Sequence, residues 1–367
     1  MEILPKTSYA ILIAVSLFGC YNKQKEKKVN DTVTVATPIL KETTSDEPER
    51  NSFDYDNTKV IRQVYVIVKE GIAIRETTSE QAKILGHADY GQKLEVIEEL
   101  GDWIAVRERI GRNYVKDNGT RVESSGWEKV YVAKNETGNL DEIQLTPSDL
   151  NIITSLNINE KSAFFEKGKP LKAHLKLELV EQSVFENQKS KTIDFLLADT
   201  NAIIKKNGIL TLPTVNKPVI LKDNPTDNDD SQEYNYLGQV PFLNQYLVEG
   251  SYYESLDFRF FDKTSGKETQ AFGEYPYISA NQKNIICIYG NAYESTSDLE
   301  LYTIENQQIK LVMTASFSKW FPTAEKFNDI FWGSDGNLYL EVIHIQAMWG
   351  ETSDEKPKKQ YLRIKLI

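Results

Sequence analysis

Three histidines stand in the 367 residues, His87, His174 and His344, each alone in its segment. A zinc site, a Ser-His-Asp triad or a Cys-His pair would have to be assembled from distant strands, and no local motif announces one. Of the two cysteines, Cys20 and Cys287, the second lies in the β-branched run Asn284-Ile-Ile-Cys-Ile-Tyr289. A free cysteine there behaves as a small hydrophobe, and nothing beside it in sequence would lower its pKa, so it reads as a buried strand thiol. The densest acidic stretch runs from Asp223 to Glu233. Oxygen ligands at alternate positions could hold calcium, but the glycine at the sixth place and the glutamate at the twelfth are missing, so it reads as a solvated loop. No glycine-rich phosphate loop is present. These residues predict no catalytic group, no metal site and no cofactor; a hydrolase built on paired carboxylates is the form an enzyme would take.

Cys20 has a different chemistry. Residues 9–18 are an uncharged apolar run preceded by Lys6, and the chain turns abruptly polar after Cys20. The run is too short to span a bilayer, which takes about 20 apolar residues. It has the length and flanks of a secretory signal, with Gly19 at the cut site. Leu17, Gly19 and Cys20 resemble the lipobox of bacterial lipoproteins, with Phe18 standing where that family prefers a smaller residue. The resemblance implies removal of residues 1–19 and acylation of Cys20, so that the partner is membrane lipid and the location is the bacterial envelope, at the outer membrane. Acylation leaves Cys287 without a partner for an intrachain disulfide.

A formal net charge of −11 argues against general affinity for nucleic acid or for anionic membrane, both of which reward a basic patch. The length suits two domains and a linker. Residues 20–60 carry little to bury and read as a flexible tether with an r.m.s. reach of roughly 35 Å.

Short strands separated by turn signals then fill residues 61–134, with Ile72 and Ile74 alternating in one and Leu94 and Val96 in another. Arg75, Thr77-Thr78-Ser79, Leu85-Gly86, Gly91, Trp103 and Gly126-Trp127 follow one another in an order that resembles the bacterial SH3 (SH3b) domain, with the hairpin between Arg109 and Ser125 enlarged. That resemblance implies a small barrel with a shallow peptide-binding groove, directed at peptidoglycan peptides or an envelope protein. Tyr90, Trp103, Trp127 and Tyr131 are the candidate ligand-binding rings.

Residues 135–160 read as a linker with a short helix after Pro147. From 161 to 367 strands resume, including Leu171–Leu179 and Thr192–Leu197. An imperfect strand-turn-strand repeat follows, at a spacing of about 35 to 55 residues. With turns at Ser279–Asn284 and Gly333–Asn337, it resembles β-propeller blades. The expected fold class is therefore all-β: a small SH3-like barrel plus a larger antiparallel β domain like an incomplete or small β-propeller. The expected function is lipid-anchored, non-catalytic binding in the envelope; the alternatives are an envelope hydrolase or a propeller-based scaffold or glycan-binding lipoprotein.

Overall fold

A computed structural model describes residues 50–116, 118–158, 161–163, 170–350 and 355–367. The signal, Cys20 and most of the tether lie outside the described residues. The chain divides into two units. The described part of the smaller is the hairpin tip 113–122, closed by Lys116 N–H and Gly119 N–H bonds to the Thr120 and Lys116 carbonyls. All that follows concerns the larger unit.

Its strands are antiparallel and form open sheets. The first has seven strands, ordered Ile84–Ala88, Ile72–Arg75, Arg121–Ala133, Trp103–Val115, Lys93–Leu100, Arg62–Val66, Thr137–Gly138. Period-two alternation builds it: Ile72, Ile74, Leu94, Val96, Val130 and Val132 all point into one buried cluster. The expected SH3-like barrel is not formed. Closure requires the two edge strands to pair, and here Ile84–Ala88 and Thr137–Gly138 remain separate edges. Alternation and turn residues dictate neighbours within a meander; they do not dictate whether its ends meet.

The propeller expectation is corrected on the same ground. The repeats fold as a four-stranded meander, Gln232–Val240, Gln245–Tyr252, Leu256–Asp262 and Glu268–Phe272, beside a six-stranded and a five-stranded sheet. The six-stranded sheet borrows Ile153–Ile158, which pairs with Gln308–Phe317. The five-stranded sheet pairs Leu175–Val180 with the C-terminal strand Gln360–Leu366. Sheets of unequal size that recruit strands from outside the repeat form no ring, and none closes. They share one core, in which Phe258, Phe260, Phe317, Trp320 and Trp332 are buried. Each such side chain contributes about 1.5–3 kcal/mol relative to exposure.

Two further segments differ from their sequence reading. The helix expected after Pro147 is a single 3₁₀ turn, Asp149–Asn151. Residues 192–198, expected as a strand, form an extended strap instead. Its Ile193 N–H bonds the Trp332 carbonyl at 2.8 Å, and Leu197 exchanges backbone bonds of 2.8 and 3.1 Å with Gln239. The strap thus runs from the five-stranded sheet to the four-stranded one.

Candidate functional site

Below the strap lies a cavity of about 350 Å³, within the range of small-molecule sites. Its floor comes from Val240, Leu247 and Phe260, all almost fully buried. The wall is Tyr275 to Ile278, where the chain enters the six-stranded sheet, and residues 326–332 close the other side. The 3₁₀ turn Phe327–Asp329 is held by its own carboxylate: Asp329 Oδ2 accepts from the backbone N–H of Glu325 at 3.1 Å and of Lys326 at 3.0 Å. The Trp332 indole is fixed by donation from Nε1 to the Tyr277 carbonyl at 3.0 Å.

The rings at the wall form a continuous surface. Tyr275 and Phe327 stack at 4.9 Å with 15° between planes, and Tyr277 lies 4.9 Å from Tyr275. Tyr275 is 8% exposed and Tyr277 7%, yet among the described residues neither hydroxyl has a hydrogen-bond partner. Burying a hydroxyl without a partner costs roughly 1–3 kcal/mol, so two lining one cavity mark it as a place for an acceptor. Both phenols are held uncharged. Burial pushes their pKa values up, reinforced by Asp194 at Tyr275 and by Glu274 at Tyr277. Asp194, Lys326 and Phe327 are the exposed residues of the mouth that carry a charge or a large ring.

The four rings singled out in the sequence stand elsewhere, and no two of them are in contact among the described residues. Tyr90 is engaged on every side. Lys69 Nζ sits 3.8 Å above its ring, His344 meets it edge to face at 5.1 Å, and its hydroxyl bonds the Gln144 backbone at 2.8 and 3.1 Å. Trp127 is 43% exposed, and the chain's own Tyr55 lies 4.7 Å from it. Tyr131 and Trp103 are half-buried in adjacent strands of the seven-stranded sheet. With no barrel to form a groove, the SH3b-based peptide-binding reading and the propeller-based alternatives lose their structural basis.

The other candidates resolve simply. Cys287 is fully buried, and burial drives its thiol pKa well up. In the acidic stretch, Asp223 pairs with Lys205 at 2.8 Å and accepts from the Tyr234 N–H. Among the described residues no three of His, Cys, Asp and Glu are grouped to hold a metal, and no helix is long and apolar enough to cross a membrane.

The cavity residues Asp194, Tyr275, Tyr277, Lys326 and Phe327 were not singled out from the sequence. The one local signal is Tyr275-Pro-Tyr277, two aromatics flanking a residue that cannot donate to a ladder. No family model matches the chain, and no curated protein and no solved structure is significantly similar to it.

Proposed function

We propose that this protein acts by binding a small ligand with an apolar body and a polar end in the cavity beneath the 192–198 strap. The observation that carries this reading is the pair of buried, unpartnered phenols, Tyr275 and Tyr277, in an otherwise apolar enclosure. An apolar floor supplies affinity by removing surface from water, and a few fixed polar groups supply orientation. Both hydroxyls are uncharged at neutral pH and serve as donors to a carbonyl, carboxylate or ether oxygen. In the same reading, acylation of Cys20 tethers the chain to an envelope membrane, where the strap and mouth meet ligands outside the lipid.

The test uses 4-fluoroanisole, whose ring fits the floor and whose ether oxygen accepts from a phenol. Its ¹⁹F resonance broadens on adding the full chain and sharpens again with Ala198→Trp, which places an indole at the mouth from an exposed position of the strap. Equal broadening by both proteins, or none by either, overturns the reading.

A further inference from the structure

Asp194 and Lys326 line the same mouth from opposite segments, the strap and the turn preceding Ile330. They do not pair with each other within 4.0 Å, and among the described residues neither forms an ion pair with any other side chain. Asp194 uses one oxygen, Oδ1, to accept the Leu196 N–H at 2.9 Å. Its charge reaches the Tyr275 hydroxyl, which places the carboxylate beside the aromatic wall. Lys326 has its backbone N–H fixed by Asp329 and its side chain exposed. Two opposite charges thus face one opening, separated by more than an ion-pair distance, above a floor of apolar side chains and stacked rings.

That arrangement is complementary to a zwitterionic head on an apolar tail. From it we infer that the ligand class is a free hydrophobic α-amino acid, above all an aromatic one. Its ammonium is held by Asp194, its carboxylate by Lys326 and a Tyr275 or Tyr277 hydroxyl, and its side chain lies on Phe260 and Leu247. The inference rests on the cavity-binding reading and narrows it. A phenylalanine side chain is compact enough for the 350 Å³ space. Its ring meets Tyr275 and Phe327 in the offset or edge geometry that aromatic pairs favour.

Isothermal titration of the full chain with four probes separates the claims: L-phenylalanine, N-acetyl-L-phenylalanine without the cation, phenethylamine without the carboxylate, and ethylbenzene with neither. L-Phenylalanine binds tightest, with roughly three- to fivefold lost for each charge removed, as expected of partly exposed pairs, and the advantage shrinks as salt is raised. Asp194→Asn weakens L-phenylalanine and phenethylamine and leaves N-acetyl-L-phenylalanine unchanged. Lys326→Met does the reverse. Both positions are exposed, so neither change threatens the fold. Ethylbenzene binding as tightly as L-phenylalanine, or charge variants that change nothing, would sink the amino-acid inference while leaving the cavity reading intact. Binding of none of the four defeats the inference, and if 4-fluoroanisole also fails to bind, the cavity reading falls with it.

Discussion

The Leu197 carbonyl oxygen lies 2.5 Å from the point that a Cβ on residue 238 would occupy. Gly238 also has a φ of 152°, a conformation that side chains avoid, at the bulge where Gln232–Val240 slips register against its neighbour. The bulge lets the strap lie directly on the sheet and pins the roof of the cavity. Gly238→Ala is therefore expected to lower stability by about 1–3 kcal/mol, read as a drop in urea midpoint. It also weakens L-phenylalanine binding, because the roof must lift. An unchanged midpoint would show that the strap adjusts freely.

His344 gives the molecule an acid dependence. It is 3% exposed, its Nδ1 accepts the Gln346 N–H at 3.2 Å, and Tyr90 covers it edge to face. Burial, with the nearby charges of Lys69 and Lys319 outweighing Asp149, pushes its pKa down to about 4. Above about pH 6.5 the imidazole is neutral in both folded and unfolded chains. Between there and about pH 4 only the unfolded chain takes up the proton, so stability falls on acidification and levels off below. Carboxylates such as Asp149 and Glu178 are held below their usual range and add their own loss at lower pH. The readout is therefore the difference from His344→Gln, whose urea midpoint declines less steeply between pH 6.5 and 4.5. Parallel profiles would contradict the assignment.

Glu128 is fully buried, with Arg112 at 2.6 and 3.0 Å and Arg50 at 2.9 Å. Removing one member of a buried ionic group leaves uncompensated charge, typically costing 3–5 kcal/mol. Glu128→Leu is expected to lose about that much in chemical denaturation. The double change Glu128→Leu with Arg112→Met recovers part of it. A double variant less stable than the single one would show that the carboxylate is not what holds the guanidinium.

The tether makes a separate prediction. Wild-type chain expressed in a bacterial host partitions with membranes and accumulates as an unprocessed precursor under globomycin; Cys20→Ser is released to the soluble fraction. A serine form that still sediments with membranes would remove acylation as the anchor.

What was legible in the sequence was local. The alternation of Ile72 with Ile74 and of Leu94 with Val96 specifies half-buried strands, and the run around Cys287 specifies a buried one. Ring or barrel closure is a relation between strands that no local pattern encodes. Sheets that borrow Ile153–Ile158 and Leu175–Val180 from ahead of the repeat escape any repeat-based reading. The cavity is harder still. Asp194, Tyr275 and Lys326 come from three segments far apart in sequence. The extended strap 192–198 has the composition of a strand while making isolated bridges only. The exposed rings noticed first, Trp127 among them, were conspicuous for being aromatic, and the chain's own Tyr55 meets Trp127.

The claim on which the account stands is that the space bounded by the strap, Tyr275 to Ile278 and Trp332 receives a ligand. A crystal of the full chain soaked with 4-fluoroanisole tests it most directly. The expected map shows the ring on Phe260 and Leu247, with the ether oxygen at hydrogen-bond distance from the Tyr275 or Tyr277 hydroxyl. A map with the probe bound elsewhere, or with the cavity filled by the protein's own side chains, would contradict the account.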